Sequence, residues 1–199
     1  MESLWWSLIG LVSGAVPYSV ILGRVAKGRE IRDYGDGNPG AFNVLRAAGP
    51  ALFVVAALLD GFKGAIPVAY AWHFAGVKGW WIVPVALAPV VGHAFSPFLR
   101  FRGGKAVAVS FGIWLGLSGP WAPFVIGGAL SVVHTVVATS GWSVVLAGLI
   151  CGGVLWPLGG AEHPELMAVW GGNMGLLVWK HRHELAELPV LRGWLRGRQ

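Results

Sequence analysis

Long apolar runs separated by short polar stretches dominate the pattern along this chain. Each run approaches the length of about 20 helical residues that crosses a hydrocarbon core about 30 Å thick. We therefore predict an all-α integral membrane protein, a bundle of about seven transmembrane helices that forms a single domain over residues 1–199. The predicted helices span roughly residues 4–22, 50–72, 80–98, 106–118, 121–138, 142–160 and 165–180.

Composition agrees with a membrane location. Only 12% of the residues are charged and 55% are hydrophobic, whereas soluble domains carry about 25% charged residues. The 12 tryptophans and 31 glycines also fit, because Trp anchors at lipid interfaces and Gly permits close helix packing. A single cysteine, Cys151, excludes an internal disulfide framework.

The positive charges orient the predicted bundle. With the N-terminus outside and the C-terminus cytoplasmic, all of the 15 Lys and Arg residues except Lys63 and Lys78 fall on the inner side or in the tail that follows the last helix. This is the positive-inside pattern. The net charge of +6 is then explained by topology and anionic inner-leaflet lipids, and no nucleic-acid partner is predicted.

The first predicted inner loop contains the polar sequence YGDGNPGAFNVLR, residues 34–46. We expect its glycines to adopt positive φ and to expose backbone N–H groups that bind anions. Two asparagines add neutral donors, and an arginine adds a guanidinium suited to phosphate or carboxylate. The residues concerned are Gly35, Gly37, Gly40, Asn38, Asn43 and Arg46. A tight glycine linker with a topogenic arginine is the alternative interpretation.

The second predicted inner loop contains Gly103-Gly104-Lys105 directly before an apolar helix. Backbone N–H groups at a helix start, the helix dipole and the lysine ammonium together favour an anion. The sequence is not a P-loop, because Leu99 stands at the P-loop glycine position and no Ser or Thr follows Lys105. A glycine turn flanked by charges that only set the membrane orientation is the alternative. His93 by itself is typical of a histidine near the membrane interface whose ring nitrogens are hydrogen-bonded within the protein.

Two further polar groups fit structural roles. Asp60 and Lys63 are three residues apart on one predicted helix, which favours a structural ion pair inside the bundle. The cluster of His181, His183 and Glu184 does not have the spacing of a closed zinc site, so no metal is predicted.

The chain resembles the bacterial membrane-integral acyl-phosphate:glycerol-3-phosphate acyltransferases, the PlsY family, along essentially its whole length. The matching segments, in the order that the family has them, are GAVPYSVILGR, GDGNPGAFNVLR, LLDGFKGAIPV, GHAFSPFLRFRGGKAVA, TSGWS and KHRHEL. The resemblance implies seven transmembrane helices in the inner (plasma) membrane, with the motifs on the cytoplasmic side. It also implies acyl transfer from acyl phosphate to the 1-hydroxyl of glycerol 3-phosphate, giving lysophosphatidic acid and phosphate for phospholipid biosynthesis, without cofactor or metal.

The resemblance also implies site residues. The positions that match substrate-binding motifs are Gly37, Asn38, Gly40, Asn43, Arg46, His93, Gly103, Gly104 and Lys105. Arg46 and Lys105 are expected to clamp phosphate. Ser140, Ser143 and His181 are implied as catalytic partners that form hydrogen bonds or handle protons.

Five positions depart from the family pattern. Most members have serine at Asp36, threonine at Phe42, glycine at Ala106, threonine at Val109 and asparagine at Glu184. An unpaired carboxylate near the site would weaken phosphate binding.

Three interpretations remain open. The ordinary reaction survives if Asp36 pairs with Arg46 or with a neighbouring loop cation. Alternatively, the acceptor is less anionic and Asp36 or Glu184 is a catalytic general base. The third is a non-catalytic lipid-binding or regulatory protein. A transporter is disfavoured, because the distinctive polar groups cluster at one interface and not at the midplane.

Overall fold

The computed structural model describes residues 1–157 and 161–195, and these residues form helices, turns and one isolated β-bridge. Every predicted apolar run contains a helix, which confirms the all-α prediction. The α-helices of the described residues are α1 (Glu2–Ala15), α2 (Tyr18–Lys27), α3 (Ala41–Ala48), α4 (Pro50–His73), α5 (Ile82–Ala94), α6 (Val107–Ser118), α7 (Trp121–Val136), α8 (Ser140–Leu155) and α9 (Pro164–Leu185). The end of the predicted run 142–160, as well as Arg196 and Arg198, lie outside the described residues.

Three helical segments among the described residues are long and apolar enough to cross a membrane. They are Glu2–Lys27, Pro50–His73 and Gly79–Leu99. The helices α6, α7 and α8 are apolar but shorter. The number of crossings and the sidedness of the termini therefore stay predictions.

The first predicted helix is interrupted in the structure. The chain is extended at Val16, and α2 begins after Pro17. The Val16 carbonyl accepts hydrogen bonds from the Tyr18 N–H at 3.1 Å and from Lys63 Nζ at 2.8 Å. The Lys63 carbonyl is in turn free because Pro67, four residues later, has no N–H. Ser13 donates to that carbonyl at 2.8 Å. Side chains of the neighbouring helix thus bond backbone carbonyls beside both prolines.

The predicted ion pair inside the bundle is confirmed. Lys63 Nζ lies 2.7 Å from Asp60 Oδ1, and both side chains are buried. Ser19 of α2 donates to the other carboxylate oxygen at 2.6 Å. The pair therefore joins α4 to the α1–α2 break, in agreement with a structural role.

Close helix contacts depend on glycine at two crossings. A Cβ at Gly112 of α6 would overlap the Gly61 carbonyl of α4, and a Cβ at Gly14 of α1 would overlap the Pro89 backbone of α5. These contacts bring α4 against α6 and α1 against α5 along their length.

The helix order brings four polar segments to one end of the bundle, here named the site end. They are the loop 28–49, the loop 95–106, the α7–α8 turn 137–139 and the last turn of α9. The prediction of an irregular first loop is wrong in part, because it contains α3 and a 3₁₀ turn at Ile31–Asp33. Ile31 and Val44 anchor this segment by packing with Val20 of α2.

Candidate active site

Lys105 is the point where the polar segments of the site end meet. Its ammonium lies 2.6 Å from Asp36 Oδ2 of the first loop and also bonds Glu184 Oε1 in the last turn of α9. The carboxylates are 69 and 79 residues away along the chain. The sequence predicted that Asp36 pairs either with Arg46 or with a neighbouring loop cation. In the structure it pairs with the loop cation Lys105 and not with Arg46.

A chain of hydrogen bonds connects Arg46 with Lys105. Arg46 Nη1 donates to Asn43 Oδ1 at 2.7 Å, and Asn43 Nδ2 donates to Asp36 Oδ1 at 3.0 Å. The backbone N–H of Asn38 also donates to Asp36 Oδ1, at 3.2 Å. Because Asn43 is buried at the start of α3, it fixes the guanidinium and the carboxylate relative to each other.

The glycines of the first loop differ from each other in conformation. Gly35 and Gly37 have φ of 60° and 70°, as predicted. Gly40 has φ of −118°, so the prediction of positive φ is wrong there. A Cβ at this position would lie 2.7 Å from Asn38 Nδ2, so a larger residue would require the Asn38 side chain to shift. The N–H groups of Gly37 and Gly40 bond carbonyls within the loop and do not form an open anion nest.

The Gly103-Gly104 pair permits close packing on His93. Gly104 N–H donates to the His93 carbonyl at 3.1 Å, and a Cβ at Gly103 or Gly104 would overlap His93. Lys180 Nζ holds the loop from the other side, through the Gly103 carbonyl at 2.9 Å. His93 therefore lies beneath the loop and supports Lys105. Substrate contact for His93 stays a prediction.

The start of α8 is bound to Glu184. Ser140 Oγ donates to Glu184 Oε2 at 2.7 Å, and the Gly141 N–H donates to the same oxygen at 2.6 Å. A carboxylate is favoured there by the helix dipole and the free N–H groups. Gly141 was not among the residues predicted for the site. Its place at the start of a helix, within TSGWS, is the signal that could have indicated it.

Ser143 points away from this cluster. It is buried, donates to backbone carbonyls of the α7–α8 turn and lies 3.3 Å from His134 Nδ1. Arg192 Nη2 lies 2.6 Å from His134 Nε2, and Leu191 forms a bridge with Val137. Since the guanidinium can only donate, the His134 proton is on Nδ1 and points to Ser143. His134 and Arg192 carried no sequence signal that we recognised.

His181 has a defined tautomer. Its Nδ1 lies 2.8 Å from the Leu177 carbonyl, which can only accept, so Nδ1 carries the hydrogen. In the neutral ring Nε2 then has a free lone pair. The side chain is buried one turn before Glu184 on α9. This geometry fits the implied proton-handling role, which stays a prediction.

The two charged loop residues of the site hold each other ionised. Burial raises the pKa of the Asp36 carboxyl, but the hydrogen bond and charge of Lys105 outweigh it and leave the pKa below its usual value. Burial lowers the pKa of Lys105, but its hydrogen bonds to Asp36 and Glu184 outweigh this and raise it above its usual value. Both side chains are therefore charged at neutral pH.

An open cavity of about 490 Å³ lies beside Lys105. Asp36 and Asn38 line it on one side, and its basic and aromatic lining residues are Arg102, Lys105, Lys180, Arg182, Phe95, Phe101 and Trp179.

A second, apolar cavity lies between α6, α7, α8 and α9, from Val107 and Leu177 to Trp114 and Trp170. Within the described residues, no group of three or more His, Cys, Asp or Glu side chains is arranged to hold a metal ion.

The fold and site define an all-α membrane protein with a charged site at one end of its bundle. Residues 4–189 match the sequence profile of the family described as glycerol-3-phosphate acyltransferase. The chain therefore belongs to the glycerol-3-phosphate acyltransferase family.

Curated relatives agree with this assignment. The glycerol-3-phosphate acyltransferase 1 of Thermotoga maritima is 38% identical over 89% of this chain and 93% of its own. The glycerol-3-phosphate acyltransferase of a Thermus thermophilus strain is 38% identical over 94% of this chain and 91% of its own. The chain thus spans nearly the whole of these relatives.

Solved structures share the fold. The glycerol 3-phosphate form of PlsY, an integral membrane glycerol 3-phosphate acyltransferase, superimposes with a TM-score of 0.85 at 25% identity, over 98% of each chain. The lysophosphatidic acid form has a TM-score of 0.83 at 24% identity, over 100% of this chain and 94% of its own.

Proposed function

We propose that this protein transfers a fatty acyl group from acyl phosphate to the 1-hydroxyl of glycerol 3-phosphate. The products are lysophosphatidic acid and phosphate. The observation that carries the proposal is the hydrogen-bonded network that joins Lys105 to Asp36 and Glu184, and Glu184 to Ser140. This happens in a fold that matches the glycerol 3-phosphate form of PlsY over 98% of the chain.

Cations near Lys105 support binding of two phosphate-bearing substrates. Arg46 is exposed and, among the described residues, has no carboxylate within 4 Å, so its guanidinium is available to the acceptor phosphate. The cavity beside Lys105 adds Arg102 and Arg182, which suit the phosphate of the donor. The apolar cavity that begins at Val107 suits the first part of the acyl chain.

The chemistry needs no enzyme nucleophile, because an acyl phosphate is already activated. The 1-hydroxyl oxygen attacks the acyl carbon, a new C–O ester bond forms, and the bond from that carbon to the phosphate oxygen breaks with its electron pair. His181 Nε2 can accept the hydroxyl proton, since Nδ1 carries the other hydrogen. Lys105 and Arg46 orient the phosphates and stabilise negative charge.

We also propose on which side of the membrane the site lies. All four segments of the site end belong to the predicted inner loops, which carry most of the positive charge. We expect a single domain over residues 1–199 in the bacterial inner membrane, with the site facing the cytoplasm, where a soluble phosphorylated acceptor is available.

The test uses purified protein in lipid with acyl phosphate and labelled glycerol 3-phosphate. Lysophosphatidic acid and phosphate are expected in equal amounts. Arg46→Ala and Lys105→Ala are each expected to reduce the rate about 100-fold or more. Arg100→Ala, which removes an exposed arginine outside the cavity, should leave the rate unchanged. Full activity of folded Arg46→Ala and Lys105→Ala would contradict the proposal.

A further inference from the structure

Three side-chain donors of the site end are already bonded to two internal carboxylates. The ammonium of Lys105, the amide of Asn43 and the hydroxyl of Ser140 all donate to Asp36 or Glu184. These are the kinds of donor that a phosphate group would use. We infer that Asp36 is a resident anion that the acceptor phosphate displaces from Lys105, whereas Glu184 stays bound.

Asp36 has the contacts of a small bound anion. One oxygen lies 2.6 Å from Lys105 Nζ, and the other accepts from the Asn43 amide and the Asn38 N–H. A phosphate oxygen could take over each of these bonds, because all three partners are donors. Acceptor binding is therefore an exchange of one anion for another at the same donors.

Glu184 is held more firmly than Asp36. Besides Lys105, it accepts from Ser140 and from the Gly141 N–H at the start of α8, which is a favourable position for an anion. Its side chain is 25% exposed, whereas that of Asp36 is 44% exposed. Asp36 also lines the open cavity and Glu184 does not. An anion that enters the cavity therefore reaches Asp36 before Glu184.

The exchange has a consequence for acceptor selection. The charges of Arg46 and Lys105 are balanced by those of Asp36 and Glu184. A phosphate that leaves both carboxylates in place would therefore gain net attraction only from the other cations of the cavity, Arg102, Lys180 and Arg182. A carboxylate that remains bonded to Lys105 repels a phosphate bound to the same ammonium. Asp36 thus sets the affinity for the acceptor, and it should affect KM more than kcat. This inference rests on the proposed function, because it describes the acceptor site of that reaction.

The experiment compares Asp36→Asn, Glu184→Gln and the control Asp33→Asn. Asp33 is an exposed acid of the same loop without an ion pair among the described residues. Binding of glycerol 3-phosphate without donor is measured by calorimetry, and KM and kcat are measured with acyl phosphate. Asp36→Asn keeps an oxygen acceptor but removes the charge. It should lower both Kd and KM about tenfold, with kcat changed less than about threefold.

The two other variants should behave differently. Glu184→Gln should lower Kd much less than Asp36→Asn does, because Glu184 does not line the cavity and its other oxygen is held at the start of α8. Asp33→Asn should change nothing. If Asp36→Asn binds glycerol 3-phosphate no more tightly than the wild type, or if Glu184→Gln tightens binding as much, the inference is overturned. If Asp36→Asn tightens binding and yet no protein makes lysophosphatidic acid, the inference stands and the proposed reaction fails.

Discussion

Glu184 binds the ammonium of Lys105 with one carboxylate oxygen and the start of α8 with the other. Lys105 lies just before α6, and Glu184 lies in the last turn of α9. One side chain therefore ties together the ends of three helices at the site end. The position and charge state of Lys105 depend on this tie as much as on its own loop.

The buried ion pair predicts a large stability effect. In Lys63→Met the Asp60 carboxylate stays buried without its cation, and breaking a buried pair in this way costs about 3–5 kcal/mol. The melting temperature in detergent should fall by roughly 10 °C. Lys27→Met, at the exposed end of α2, is the matched control and should melt like the wild type. Equal melting of both variants would show that the pair contributes no stability.

Backbone strain before α6 predicts an unusual response to glycine. Ala106 has φ of 66°, which costs a residue with a Cβ about 1–2 kcal/mol and costs glycine nothing. Ala106→Gly should therefore keep or raise the melting temperature. Ala56→Gly, at an equally buried position inside α4, should lower stability by about 1 kcal/mol or more. Equal losses would argue against a left-handed conformation at Ala106.

The cavity beside Lys105 predicts a difference between two neighbouring arginines. Arg102 lines the cavity and Arg100 does not. If the donor phosphate binds there, Arg102→Gln should raise the KM for acyl phosphate about fivefold, the effect of one partly screened charged hydrogen bond. Arg100→Gln should leave it unchanged. The measurement is the initial rate as a function of acyl phosphate at saturating glycerol 3-phosphate. An equal rise of KM in both variants would show that the arginines act only through the general positive charge of the surface.

An acid-sensitive contact holds the first loop. A hydrogen bond from Arg32 to Glu30, supported by Arg24, lowers the pKa of Glu30 to about 2. A folded-state pKa below the usual 4.5 means that this stabilisation is complete above about pH 4.5 and is lost as the pH falls towards 2. Melting temperatures between roughly pH 5 and pH 3 should therefore fall less steeply for Glu30→Gln than for the wild type. Asp33→Asn should keep the wild-type slope, and a wild-type slope in Glu30→Gln would contradict the assignment.

Local features of the site were predictable where chain neighbours decide them. The turn at Gly35 and Gly37 needs positive φ, and Gly103-Gly104-Lys105 stands before an apolar helix as expected. The short helix α3 was missed, because its eight residues directly follow a stretch rich in glycine, with proline and asparagine, that is typical of a loop. The break at Pro17 was also missed, since an apolar run extends through it.

The all-α class, the positions of the apolar runs and the grouping of the polar loops were predictable from the sequence. These follow from run length and from the distribution of Lys and Arg, which are local properties of the chain. Which charges pair at the site end depends, in contrast, on the tertiary structure. Asp36 and Glu184 are 69 and 79 residues from Lys105 along the chain. They pair with that lysine and not with Arg46 because of the way α3, α6 and α9 pack at the site end.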